Sequence, residues 1–113
     1  MRQESPIACV MAALDEEQRR RRAELEAGLG ARIEEVRELA DGYAARLPSD
    51  ARTLVEVAEF VTYERLCCPF LDFGIRVERE GGPLWLTLTG REGVKEFVRE
   101  EFGFTDIKTA EQK

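Results

Sequence analysis

Histidine is absent from this 113-residue sequence, and its absence excludes several kinds of functional site within one chain. Ser-His-Asp and Cys-His catalytic sets need an imidazole as the general base. Histidine-ligated haem, Cys₂His₂ zinc and His-carboxylate iron sites are excluded for the same reason. A metal site in this chain must therefore be built from thiolates, carboxylates or backbone carbonyls.

Cysteines and long apolar runs are scarce as well. The three cysteines, an odd number, fit a reducing compartment better than a disulfide framework. An uncharged stretch near the start, residues 6–14, is too short to span a bilayer. Arg2 and Glu4 ahead of it do not form the basic region of a signal peptide. We therefore expect a cytoplasmic protein with no membrane partner.

The composition is typical of a single globular domain, with 43% hydrophobic and 35% charged residues and a net charge of −6. The one basic run, residues 19–22, lies among four glutamates, which indicates a solvated helix face rather than a nucleic-acid contact. We predict one domain over residues 1–113 with no nucleic-acid partner. Its N-terminal lead would span residues 1–14 and a flexible tail residues 105–113.

The first half of the chain predicts a helix and then a β-hairpin. Asp15 can cap the helix. Residues 31–40 fit either a continuation of that helix or a strand. The Asp41-Gly42 dipeptide is a strong signal for a tight hairpin and favours strands near residues 32–39 and 43–48.

The second half repeats this pattern. A helix begins at Ser49 or Asp50 and ends at Cys68, because Pro69 follows. Alternation then predicts a half-buried strand, a second strand and a last helix. The predicted inward residues are Leu54, Val57, Ala58 and Val61 on the helix, Leu71, Phe73, Ile75 and Val77 on the first strand, Leu84, Leu86 and Leu88 on the second, and Val94, Phe97, Val98 and Phe102 on the last helix. The fold class is α+β, in the order α-ββ-α-ββ-α, with a mostly antiparallel four-stranded sheet packed against helices.

Two adjacent cysteines, Cys67 and Cys68, form the strongest candidate site. Adjacent thiols can bind a soft metal ion, close a vicinal disulfide or fill a core, with Cys68 inward and Cys67 half-buried. Hg(II) and Cu(I) need only two or three sulfurs. Zinc wants four ligands, so it would need a carboxylate such as Glu64 or a second subunit. Cys9 lies in an apolar segment and is either a packing residue of the core or a third sulfur ligand.

The predicted position of the cysteine pair favours metal binding over redox catalysis. A helix C-terminus disfavours a thiolate, and Glu64 one turn earlier adds to that effect. A metal ion deprotonates its own ligands and is less sensitive to this setting.

Several segments resemble a family of small bacterial proteins with an E-R-x-C-C-P-F motif. They are residues 41–44 (D-G-Y-A), 64–71 (E-R-L-C-C-P-F-L), 81–86 (G-G-P-L-W-L) and 93–97 (G-V-K-E-F), together with Ile7-Ala8-Cys9. The likeness covers roughly residues 6–101. It implies Cys9, Cys67 and Cys68 as metal ligands and an association with heavy-metal, notably mercury, resistance.

The leading hypothesis is a small protein that binds Hg(II), Cu(I), Zn(II) or As(III) through Cys67, Cys68 and Cys9. It would sequester, deliver or sense the ion rather than act as an enzyme, with no organic cofactor, and a homodimer stays open. One alternative is a thiol-dependent enzyme or redox protein with Cys67 as nucleophile. Another is a protein interaction module whose cysteines are structural.

Overall fold

The computed structural model describes residues 5–104. Within this range three α-helices and four β-strands follow one another in the order α-β-β-α-β-β-α, which confirms the predicted α+β fold. The predicted flexible tail lies outside the described residues, as do the first four residues of the lead. The helices are α1 (Glu16–Gly30), α2 (Ala51–Cys67) and α3 (Val94–Phe102), and the strands are β1 (Glu35–Leu39), β2 (Gly42–Leu47), β3 (Asp72–Val77) and β4 (Leu84–Thr89).

The two hairpins form one antiparallel sheet in the order β1-β2-β4-β3. They join through β2 and β4, where the backbones approach closely at Gly42. A Cβ atom at Gly42 would lie 1.9 Å from the carbonyl oxygen of Leu88, so only glycine fits there. The inner face of the sheet supplies buried residues to the core, namely Val36, Tyr43, Ala45, Leu47, Leu84, Leu86 and Leu88.

Helix α1 begins where its cap predicts. The side chain of Asp15 accepts a hydrogen bond from the backbone N–H of Gln18 at 2.8 Å, and Gln18 Oε1 accepts one from the N–H of Asp15 at 3.0 Å. Leu25 and Leu29 are buried on this helix, and so is Arg22, which is only 6% exposed. The expectation of a solvated basic face is therefore wrong for Arg22.

The inward face of α2 differs from the predicted stripe. Val57 is buried as expected, but Leu54 and Val61 are half-buried and Ala58 is exposed. The reason is that polar residues with partners occupy the inward positions. Asp50 caps the helix, and its Oδ1 also accepts a 2.7 Å hydrogen bond from the hydroxyl of Thr53. The buried positions are Thr53, Val57, Phe60, Glu64 and Cys67.

Strand β3 is more exposed than its alternating sequence indicates. Phe73 is half-buried, whereas Ile75 and Val77 are 40% and 49% exposed. Since β3 is an edge strand, the helices cover its neighbour β4 more fully than β3 itself. The inward positions predicted on β4 are all buried, and Val94 and Val98 are buried on α3.

None of the helices within residues 5–104 has the length and apolar character needed to cross a membrane.

Candidate metal centre

The C-terminal end of α2 places three potential ligands within five residues. Cys67 is the last helical residue and Cys68 is the cap, and the N–H of Cys68 donates to the carbonyl of Glu64 at 2.8 Å. Glu64 and Cys68 are four residues apart, so their side chains lie on one face of the helix. Pro69 ends the helix immediately beyond this group, as the sequence predicts.

The N-terminal lead contributes the third thiol. The N–H of Val10 donates to the carbonyl of Cys67 at 2.7 Å, a bond that joins the lead to one of the free carbonyls at the end of α2. This bond brings Cys9 Sγ to 3.0 Å from Cys68 Sγ. A short 3₁₀ turn follows at Met11–Ala13, and Leu14 is buried behind it.

Cys9, Glu64 and Cys68 lie close enough together to hold a metal ion. One ligand atom from each lies within 4.8 Å of the others. Cys67 flanks this group, with its Sγ 4.0 Å from Cys68 Sγ and 3.9 Å from Glu64 Oε1. All three cysteines named from the sequence therefore meet around one carboxylate.

The site is closed on the α2 side and partly open at the lead. Glu64, Cys67 and Cys68 are each 0% exposed, whereas Cys9 is half-buried. The expectation of a half-buried Cys67 at the rim is therefore wrong, because Cys67 follows the inward stripe of α2. An ion would reach the buried ligands past Cys9.

Arg22 belongs to this group of residues and was not predicted from the sequence. Its Nε donates to Glu64 Oε1 at 2.6 Å and its Nη1 to Glu26 Oε1 at 3.2 Å, while the guanidinium lies 5.8 Å from the centre of the Phe60 ring. The ion pair neutralises a carboxylate that burial would otherwise make very costly. One signal was present in the sequence, since Arg22 has the helical spacing of the inward residues Leu25 and Leu29.

The thiols form a chain of hydrogen bonds that ends on the carboxylate. Cys68 Sγ donates to Glu64 Oε2 at 3.4 Å. Because Cys68 has one thiol proton, the Cys9 thiol is the donor in the 3.0 Å contact between the two sulfurs. Glu64 thus accepts from Arg22 on one oxygen and from Cys68 on the other.

Burial raises the pKa of all three thiols. For Cys68 the contact with Cys9 and the charge of Glu64 add to the effect, and for Cys67 the charge of Glu64 adds to it. For Cys9 the hydrogen bond with Cys68 partly opposes the effect of burial. The metal-free site is therefore a set of neutral thiols at pH 7, which speaks against a resting thiolate nucleophile at Cys67.

The sulfur separations indicate what a metal ion would change. Two thiolates on one tetrahedral zinc, with bonds of about 2.3 Å, are about 3.8 Å apart. The Cys67–Cys68 separation of 4.0 Å is close to that value, whereas the 3.0 Å between Cys9 and Cys68 must widen. Cys9 is the ligand outside α2, so its movement does not disturb the helix.

Searches among protein families, curated proteins and solved structures find no match to this chain.

Proposed function

We propose that this protein binds one soft metal or metalloid ion through Cys9 and Cys68, with Cys67 and Glu64 completing the site when more ligands are needed. The convergence of Cys9, Glu64 and Cys68 supports this proposal. Thiolates select soft ions such as Hg(II), Cu(I), Zn(II) and As(III) over hard cations.

Charge balance favours a divalent ion on two thiolates. Glu64 and Arg22 already form a neutral pair beside the sulfurs. Two thiolates with Hg(II) then add no net charge, whereas two thiolates with Cu(I) leave one negative charge in a buried site. Trivalent arsenic reaches neutrality with all three thiolates, so it requires Cys67 as well.

Zinc suits the site less well than a low-coordinate ion. Four-coordinate zinc would take the three thiolates and Glu64 Oε2. The three thiolates and Glu64 carry four negative charges, and Arg22 and the zinc ion together supply three positive ones. The centre therefore keeps one negative charge. Hg(II) needs only the two thiolates already in contact.

The surroundings suit storage or transfer of the ion rather than catalysis on it. Glu64, Cys67 and Cys68 are fully buried, and Cys9 on the lead is the accessible ligand. A bound ion would be shielded from water on one side and open to ligand exchange on the other. We therefore assign a sequestering, delivery or sensing role, and the resemblance to the E-R-x-C-C-P-F family points the same way.

Native mass spectrometry of the reduced protein with Hg(II), Cu(I), Zn(II) and arsenite tests this function. We expect one Hg(II) per chain, bound at least about 100-fold more weakly by Cys9→Ser or Cys68→Ser, since outer-shell changes alone cost about 10- to 100-fold. Cys67→Ser should still bind Hg(II) but should no longer bind arsenite. Leu66→Ser, on the exposed side of α2, is the matched control and should behave as the unmodified chain does. Equal Hg(II) affinity in Cys9→Ser, Cys68→Ser and Leu66→Ser would refute the proposal.

A further inference from the structure

A second feature of the core lies apart from the sulfurs, between the C-terminal half of α1, the inner face of the sheet and the end of α3. It is a partly open pocket of about 110 Å³, called the cavity below. Among residues 5–104, Glu26 is the only polar side chain that lines it, and the walls include Leu29, Ile33, Leu47, Phe60 and Phe102. Because the cavity is partly open, some of its apolar wall area contacts water, and covering that area with an apolar ligand is favourable.

The size and lining of the cavity match a small ring better than water. A bound water molecule needs two to four polar partners, and the described lining offers one polar side chain, so water is held weakly there and a small apolar group can replace it. Three phenylalanines form one wall, with ring centres 6.5 Å apart for Phe60 and Phe102 and 5.9 Å apart for Phe102 and Phe104. Edge-to-face and offset contacts of this kind favour an aromatic ring over an aliphatic one.

Glu26 gives the cavity one polar contact point. Its carboxyl group is half-buried, and burial raises its pKa even though Arg22 pairs with it. A carboxyl oxygen there can accept a hydrogen bond from an O–H or N–H group. The guanidinium of Arg22, 3.2 Å from Glu26, disfavours a cationic donor, and the carboxylate disfavours an anionic ligand.

We propose that this cavity binds a small, uncharged, monocyclic aromatic molecule that carries one hydroxyl or amine donor. The ring contacts the phenylalanine wall, and the donor hydrogen-bonds to Glu26. Cys9, Glu64, Cys67 and Cys68 do not line this cavity, although Arg22 hydrogen-bonds to both Glu26 and Glu64. The test therefore uses the metal-free protein.

The test is a titration of the full, metal-free chain with phenol, benzene and benzoate, followed by two-dimensional amide NMR. We expect phenol to shift the amides of cavity residues such as Phe60, Leu88 and Phe102, with benzene about tenfold weaker because it lacks the hydrogen bond. Benzoate should cause no shifts at the same concentrations. If millimolar phenol shifts none of these amide signals, the proposal is overturned.

Two variants and a matched control locate the binding. Ile33→Phe fills the cavity and should weaken phenol at least tenfold, whereas Ile75→Phe makes the same change on the exposed edge strand and should not. Glu26→Met should lower the affinity for phenol to that for benzene, and should leave the affinity for benzene unchanged. Equal phenol binding by Ile33→Phe and Ile75→Phe would contradict the assignment of the cavity.

Discussion

Glu64 takes part both in the ion pair with Arg22 and in the hydrogen bonds of the thiols. One of its oxygens binds Arg22 and the other accepts the thiol proton of Cys68, and all of this lies in the interior. A buried carboxylate is tolerated only because Arg22 supplies the opposite charge at 2.6 Å. Burial, with a further contribution from the charge of this carboxylate, raises the pKa of Cys67 and Cys68 and keeps both thiols protonated until an ion binds.

Removal of Arg22 should therefore be severe. Arg22→Leu leaves the Glu64 carboxylate buried without its partner, and we expect a loss of about 3–5 kcal/mol in the free energy of unfolding, measured in urea. The double variant Arg22→Leu/Glu64→Leu should recover most of that loss, since it removes both charges. Equal stability of the single and double variants would show that the ion pair does not neutralise a buried charge.

The thiols also give the metal-free protein a specific pH dependence. Their folded pKa values are raised, so the unfolded chain ionises first, near its ordinary thiol pKa of about 8.5. Their contribution to stability is thus full below about pH 8.5. It falls as the pH rises, by about 1.4 kcal/mol per pH unit for each fully buried thiol, until the folded pKa is reached.

Urea unfolding between pH 7 and pH 10 measures this slope. Cys68→Ala should reduce the slope of the unfolding free energy against pH by the contribution of one thiol. Ala58→Cys adds a thiol at an exposed position of α2 and should leave the slope unchanged. An identical slope in Cys68→Ala and the unmodified chain would contradict the assignment of raised thiol pKa values.

At the scale of elements, local sequence signals predicted where helices and strands begin and end, whereas tertiary contacts determined which face of each element is buried. Gly42 and Pro69 mark the hairpin and the end of α2, and both act through the backbone of their own segment. The prediction of the inward face of α2 was wrong because Thr53 and Glu64 are polar, and a hydrophobic pattern assigns polar residues to the solvent-exposed face. Their partners, Asp50 and Arg22, make burial of these residues possible.

The site itself was predictable only in its α2 part. The sequence places Glu64, Cys67 and Cys68 at one helix end, but the lead has no periodic pattern that would position Cys9. Its place depends on the backbone hydrogen bond from Val10 to Cys67, a contact between residues 57 positions apart that no local signal shows.

That hydrogen bond can be tested directly. Val10→Pro removes the N–H donor, and we expect Cys9 to be alkylated about tenfold faster because the lead opens more often. Val10→Ala keeps the donor and is the control. The rate at Cys9 is measured by mass spectrometry after a short treatment with iodoacetamide. Similar rates for the two variants would mean that other contacts hold the lead against α2.

At the scale of the whole molecule, a bound ion would connect the N-terminal lead to the end of α2 and so stabilise the fold. Ligand at 100 times its Kd contributes about 2.7 kcal/mol if the unfolded chain does not bind it. For a domain of this size we expect a rise in Tm on the order of 5–10 °C with Hg(II). Binding of Hg(II) to the thiols of the unfolded chain would make this rise smaller. Cys9→Ser should lose most of the rise, and a rise of the same size in that variant would place the ion elsewhere.

The number of sulfur atoms bound to the ion shows whether Cys9 and Cys68 hold it. X-ray absorption at the mercury edge, on the protein loaded with one equivalent of Hg(II), measures it. We expect two sulfur neighbours in the unmodified chain and in Cys67→Ser, and fewer protein sulfurs in Cys9→Ser and Cys68→Ser. A sulfur shell that is unchanged in Cys9→Ser and Cys68→Ser would contradict this expectation.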